Sequence, residues 1–269
     1  MSEIYRDVLN WNESRYDKQR MLVSLWQYRD PMFPRRYSFD LTDFCNRRCH
    51  YCPVGVFGAK ASVMSDDVFV AGVRRMKEIK WTGQVTYNGY GEPLSVKNLE
   101  HYTSWVREEV PAARSFIYTN GDYLTWERAQ SLYAAGVEHI VVTRHEPYKD
   151  AWHERVMAVQ AKAGKRMTLR SLPKSVLINP AGLVDVPYEP FSRCTLPSSN
   201  FTVTVNGDVR LCCADFLKEY TPGNIMNETV MDIWHKPEFK QIRRRLMFGS
   251  KQQLPVCVKC MAGLSEKPK

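Results

Sequence analysis

The fold is decided by Arg36-Tyr37-Ser38-Phe39-Asp40-Leu41-Thr42 and the run that follows it, Cys45-Asn46-Arg47-Arg48-Cys49-His50-Tyr51-Cys52. Tyr37, Phe39 and Leu41 alternate with polar residues, so residues 36–42 predict a strand. The cysteines then follow in a loop with the spacing C-x3-C-x2-C. A loop this short can wrap three thiolates around one corner of a cubane iron–sulfur cluster. Three ligands for four irons leave one iron open to a small chelating ligand. Three cysteines buried by chance would be the bland alternative, and a zinc site a second one. Zinc, however, normally takes a fourth ligand, and His50 sits between two of the cysteines, where its geometry is poor.

Outward from this loop the pattern repeats. Ser65 is a plausible N-cap for a helix over 66–80. A strand at 84–88 leads to a turn containing Gly89, Gly91 and Pro93, then to a helix over 96–109. A strand at 115–119 leads to Asn120-Gly121 and a helix over 125–135 capped by Thr125. A strand at 138–143 precedes a helix over 150–163, a strand at 166–171 follows, and a further short strand is expected at 176–179. Strand-then-helix alternation implies a parallel sheet. Five or six such units are too few for a closed eight-strand barrel. The predicted fold class is therefore α/β, a partial (β/α)6-type parallel barrel with its chemistry at the C-terminal strand ends, where the loops gather.

Three regions are expected: an N-terminal extension over 1–36, a core over 37–190 and a cluster-binding extension over 191–269. The first holds a helix over 12–29, closed by Pro31 and Pro34. In the last, Phe201, Val203 and Val205, then Asn206-Gly207, then Val209 and Leu211 predict a hairpin with a two-residue turn. A helix over 229–246 and a loop holding Cys257 and Cys260 complete it.

Charged residues make up 25% of the chain and hydrophobic residues 44%, values of an ordinary globular protein. No run of about eighteen apolar residues predicts a membrane span. The charged first thirty residues do not read as a secretory signal, so a cytoplasmic location is expected. The net charge of +9 invites nucleic acid or an anionic substrate. Its densest run, Lys240 and Arg243-Arg244-Arg245, reads as a solvated helix face, and no basic stripe is interleaved with aromatics, so nucleic acid is not expected. The eight cysteines suggest metal or redox chemistry rather than a disulfide framework. They fall into two sets: the loop, and Cys194, Cys212, Cys213, Cys257 and Cys260. Four of the second set, Cys194, Cys212, Cys257 and Cys260, can supply a complete thiolate shell for a cluster or for a zinc ribbon. Cys213 is left over, either a small buried residue beside a ligand or a thiol that donates a hydrogen atom.

The cysteine loop resembles the signature of the radical S-adenosylmethionine (SAM) superfamily. That resemblance implies a four-iron cluster on Cys45, Cys49 and Cys52. The cluster would pass an electron to SAM and release a deoxyadenosyl radical, with Tyr51 packed near the adenine. It gives Gly89-Tyr90-Gly91-Glu92-Pro93, otherwise an ordinary turn, a role in binding SAM through Gly91 and Glu92. Tyr118-Thr119-Asn120-Gly121, otherwise a simple Asn-Gly turn, would bring Asn120 near the SAM ribose or carboxylate. Arg144 and His145, at the end of the fourth strand, either touch SAM or substrate or are structural. Gly207-x4-Cys212, Gly223-Asn224-Ile225 and Asp232-Ile233-Trp234 resemble the twitch (SPASM-like) extension, which implies a second four-iron cluster, fully coordinated.

Within the superfamily the chain is similar to the 2-deoxy-scyllo-inosamine dehydrogenases and related aminosugar epimerases. The similarity is carried by Glu92-Pro93-Leu94, Lys97-Asn98-Leu99, Ile117 to Asp122 and Gly223-Asn224-Ile225. It implies a small polyhydroxylated or amino-substituted ring as substrate, and a reductase, flavodoxin or ferredoxin as electron donor. The chain departs from these relatives at Asn179-Pro180-Ala181-Gly182, which lacks the arginine they place there. Oxidation of a carbinol carbon is the leading expectation. The alternatives are epimerisation with Cys213 as hydrogen donor, peptide modification, and a non-catalytic cluster-binding interaction protein.

Overall fold

In a computed structural model the described residues are 24–31, 33–58, 60–145, 147–171, 180–184, 194–249 and 254–261. The expected strand at 176–179 and most of the expected helix at 12–29 lie outside them; 24–28 is helical.

Five strands come from the core: β1 (Arg36–Phe39), β2 (Gln84–Thr86), β3 (Arg114–Thr119), β4 (Val137–Arg144) and β5 (Met167–Ser171). All neighbours among them pair in parallel, and helices cross between them. These helices are α1 (Pro53–Phe57), α2 (Asp66–Glu78), α3 (Leu99–Glu109), α4 (Trp126–Ala134) and α5 (Asp150–Ala163). Ser65 and Thr125 cap α2 and α4 as expected, each accepting a backbone N–H of the first turn.

The extension is not a separate layer. Its strand β6 (Asn200–Val203) pairs in parallel with β1 on the side away from β2. Strands β7 (Asp208–Arg210) and β8 (Gly223–Asn224) then add on antiparallel, giving one mixed sheet in the order β5-β4-β3-β2-β1-β6-β7-β8. The hairpin differs in detail from its sequence reading. Val203 pairs with Val209, so Val205-Asn206-Gly207 makes a three-residue reversal with Gly207 at φ +84. The expected single helix over 229–246 is two, α6 (Val230–His235) and α7 (Pro237–Met247), because Pro237 cannot continue a helix and instead opens the next one. Cys257 and Cys260 lie on a short helix, α8 (Pro255–Met261), rather than in a loop. Pro255 starts it, and i,i+3 spacing puts both thiols on one face.

Strand alternation explains where a site can form. Tyr37, Phe39, Val85, Tyr87 and Ile117 are fully or almost fully buried under the helices; Phe39, for example, meets Phe69 of α2 with ring centroids 4.7 Å apart. The intervening residues are mostly polar: Arg36 and Ser38 on β1 and Asp40 just after it, Gln84 and Thr86 on β2, Tyr118 on β3, Thr168 and Arg170 on β5, Thr202 on β6, with Phe116 and Val141 the apolar members of the same face. A parallel sheet covered on both faces would read as continuously apolar. A mostly polar second face is compatible with a partial barrel whose lumen faces solvent or a ligand. At the far end of the sheet, Phe33 and Trp234 meet edge-to-face at 5.5 Å, and Trp234 Nε1 donates to Asp30 at 2.9 Å, which ties residues 24–33 to the extension.

Candidate active site

The cysteine loop leaves β1 and closes with α1, whose N-cap is Cys52. The Cys52 amide donates to the Cys49 carbonyl at 3.0 Å. A side chain at Gly55 would collide with that carbonyl at 2.1 Å, so α1 can fold back on the loop only with glycine there. Cys45, Cys49 and Cys52 are all half-buried. The Arg47 amide and the Asn120 side-chain amide approach the Cys45 sulfur at 3.5 and 4.0 Å, donors placed to stabilise a thiolate. Burial pushes the Cys52 thiol up to about 11, and raises that of Cys45. Three half-buried thiols on one tight loop, with donors aimed at sulfur, fit one face of a cubane cluster.

The β2 loop is pressed against the base of this loop. A Cβ at Gly91 would stand 2.0 Å from the Thr42 carbonyl, and one at Gly89 2.0 Å from Asp40 Oδ1. The Glu92 amide donates to the Phe44 carbonyl at 2.7 Å. Its carboxylate is buried and turns toward β3: it accepts from the Asn120 amide at 2.9 Å, Thr119 Oγ1 at 2.5 Å and the Leu94 amide at 3.0 Å. Burial raises its pKa to about 6 against these donors. Asn120 donates to Asn46 of the cysteine loop at 2.9 Å. Gly91, Glu92 and Asn120 thus meet the cluster loop.

Tyr51 and His145 also meet. The Tyr51 hydroxyl lies 2.5 Å from His145 Nδ1 with the two rings stacked, and desolvation lowers the His145 pKa to about 4, so the ring is neutral and Nδ1 accepts. Arg144 does not join them; its guanidinium lies over the Tyr148 ring at 5.0 Å.

Sequence reasoning passed over Arg47 and Asp122. Arg47 Nε and Nη2 grip the Asp122 carboxylate at 2.7 and 2.5 Å, and Nη1 donates to the His145 carbonyl at 2.7 Å. One side chain therefore fastens the cluster loop to the ends of β3 and β4. The available signal was an acidic residue directly after Asn120-Gly121 and two arginines inside the cysteine spacing.

On the extension, Cys194, Cys212, Cys257 and Cys260 line a single cavity, walled otherwise by aliphatic side chains such as Leu196, Leu211, Leu246 and Val256. Burial first, and their mutual proximity next, push Cys194 and Cys257 up to about 12. An all-sulfur, apolar pocket suits a soft metal centre. β7 ends at Arg210, and the chain turns so that Cys212 is buried in this pocket while Cys213 is exposed outside it. The Tyr90 hydroxyl donates to the Cys213 carbonyl at 2.6 Å, and this joins the β2 loop to the extension. Behind it, Arg210 pairs with Asp40 at 2.8 Å, both fully buried.

Residues 39–170 match the radical SAM superfamily, and residues 194–261 match the SPASM iron–sulfur cluster-binding domain. The chain is 31% identical over 220 residues to the S-adenosyl-L-methionine-dependent 2-deoxy-scyllo-inosamine dehydrogenase of Niallia circulans, covering 80% of this chain and 88% of that one. It is similar to BtrN in complex with AdoMet and 2-DOIA (TM-score 0.78, 29% identity, 84% of this chain and 92% of the other). To BtrN in an open conformation the TM-score is 0.67, at 28% identity over 85% of this chain and 92% of the other. Taken with the two sets of thiols, these matches place the chain in the radical SAM superfamily, as a member with a SPASM-type cluster-binding extension.

Proposed function

We propose that the chain is an oxidoreductase that dehydrogenates a carbinol carbon of a small polyhydroxylated or amino-substituted ring. The observation that carries this reading is the four-thiol pocket beside the barrel lumen. Four protein ligands leave no open iron, so a cluster there serves to accept an electron and not to bind SAM or substrate. The similarity to the 2-deoxy-scyllo-inosamine dehydrogenase supports the same reaction.

When bound, SAM and the loop cluster supply the radical that takes the substrate hydrogen. The core of 37–190 and the extension of 191–269 divide the work. Cys45, Cys49 and Cys52 hold the first cluster. Gly91 lets the β2 loop pack against the Thr42 and Phe44 carbonyls at the base of the cysteine loop, which would bring its backbone to the methionyl end of SAM. Glu92 spends three of its roughly four acceptor positions on β3 and its own turn, and the remaining one would be available to the ammonium of SAM. Asn120 fixes the loop edge through Asn46. Tyr51, held by His145, offers a ring face to the adenine, and Arg144 borders the same strand end. Cys194, Cys212, Cys257 and Cys260 hold the second cluster. Once the hydroxyl proton is lost, a cluster held by the extension would take up the second electron. A flavodoxin, ferredoxin or reductase of the cytoplasm supplies the starting electron.

Epimerisation is the second reading, favoured by the exposure of Cys213 beside the lumen. The test incubates reduced protein with SAM and 2-deoxy-scyllo-inosamine in deuterated water. A ketone, formed one-for-one with deoxyadenosine and undiminished in Cys213→Ala, is expected. An inverted product carrying deuterium, lost in Cys213→Ala while both clusters and SAM cleavage survive, would establish the epimerase instead.

A further inference from the structure

The charged groups of the lumen carry information about the substrate that the two metal sites do not. Asp40, the carboxylate on β1, is already matched by Arg210 at 2.8 Å. Two more guanidiniums reach inward and flank one ring: Arg36 from β1 and Arg170 from β5, each with its Cζ 5.4 Å from the centre of Tyr118. Arg170 Nε donates to the Thr143 hydroxyl at 3.0 Å. Arg36 Nε donates to Gln84 Oε1 at 2.8 Å, and Nη2 reaches the Tyr118 hydroxyl at 3.4 Å. The Thr143 partner of Arg170 is neutral. Arg170 makes no ion pair among the described residues.

Arg170 is thus a half-buried guanidinium with no carboxylate paired to it among the described residues. Burial makes the protonated form of Arg170 harder to keep; Tyr118 opposes this, and the charge of Arg36 adds to it. An anion on the guanidinium of Arg170 relieves that cost. The planar fork of Arg fits phosphate or carboxylate bidentately, and with Nε engaged by Thr143 the terminal nitrogens of Arg170 remain for the ligand. The position suits a substrate contact: Arg170 pairs in register with Thr143, two residues before His145, at the C-terminal strand ends.

We propose that Arg170, beside the Tyr118 ring, receives an anionic group, a phosphate or a carboxylate, carried by the substrate. The inference rests on the reading of this lumen as a polyol-oxidising site. It separates this chain from its dehydrogenase relative: the preferred ring is a phosphorylated or carboxylated polyol rather than an amino-substituted one.

The test measures binding by calorimetry to the anaerobic, cluster-loaded protein saturated with SAM. The probes are inorganic phosphate, myo-inositol, myo-inositol 1-phosphate, glucuronate and 2-deoxy-scyllo-inosamine. One of the two anionic rings should bind at least about tenfold more tightly than myo-inositol, the tighter one identifying phosphate or carboxylate. Arg170→Gln should abolish that preference while leaving myo-inositol affinity unchanged. Arg170→Lys should restore part of it, since the charge remains and the fork is lost. Tighter binding of the amine than of either anion, or an anion preference intact in Arg170→Gln, would overturn the inference, and oxidation of that amine would leave the dehydrogenase reading standing. Conversely, phosphate binding lost in Arg170→Gln, with no ring bound or oxidised, would uphold the anion site and sink the polyol reading.

Discussion

Replacing Arg47 by alanine removes the one side chain that joins the cluster loop to two strand ends at once. The side chains of the pair are only 15% and 23% exposed, so solvent screens it less than a surface pair. The contact is bidentate and charge-assisted, and a hydrogen bond to a charged group contributes about 1.5–3 kcal/mol net. Arg47→Ala should therefore cost about 2–3 kcal/mol. Asp122→Asn should cost less, about 1–2 kcal/mol, because Asn46 Nδ2 still finds an acceptor there. The double-mutant cycle should return a coupling of about 1–2 kcal/mol. Urea unfolding of the anaerobic protein gives these values. Iron retained through gel filtration reports whether the loop still closes. The pH dependence follows from the Asp122 carboxyl: burial works to raise it, but the hydrogen bonds from Arg47 and Asn46 prevail and hold it below its ordinary value. A depressed carboxyl contributes stability above its unfolded pKa of about 3.9 and loses it as pH falls through the lower folded value. The coupling should thus be constant from about pH 8 to 5. Single variants within about 0.5 kcal/mol of wild type, with no coupling, would refute the tether.

Glu92→Gln puts an NH2 where only acceptors are wanted, leaves one buried donor facing another, and should cost about 1–3 kcal/mol; calorimetric SAM titration of the still-folded variant should show weaker binding. His145 has a folded pKa of about 4, below the ordinary 6.5, so the folded state binds fewer protons between those values. Stability should fall as pH drops from about 6.5 to 4, by up to about 3 kcal/mol, and in His145→Gln that part of the acid limb should flatten; an unchanged profile would contradict a neutral imidazole.

Much of this molecule is legible in its sequence, for identifiable reasons. Tyr37, Phe39 and Leu41 announce β1 because burial on one face imposes a period of two, and Ser65 and Thr125 announce helix starts because an exposed amide needs a cap. Local signals do not say which strand becomes whose neighbour. That is why β6 reads as part of an appendage although it pairs with β1. The break at Pro237 and the helix carrying Cys257 and Cys260 were readable from proline positions alone. The site divides in the same way. Cysteine spacing picks out candidate ligands because a cluster demands them at fixed separations. Arg47, Asp122 and the Arg36–Tyr118–Arg170 arrangement are long-range, and only the folded sheet brings them together. Tyr51 and His145 were each visible as candidates, but their contact was not.

The central claim is two iron–sulfur clusters with separate tasks, and metal content tests it most directly. Anaerobically reconstituted protein should hold about eight irons, as two four-iron clusters. The Cys45, Cys49 and Cys52 triple alanine variant should keep about half of them and lose all SAM cleavage. Replacing Cys194, Cys212, Cys257 and Cys260 should instead spare the loop cluster and its reductive cleavage of SAM. Iron stopping near four in the intact protein, with zinc in the second pocket, would contradict the account.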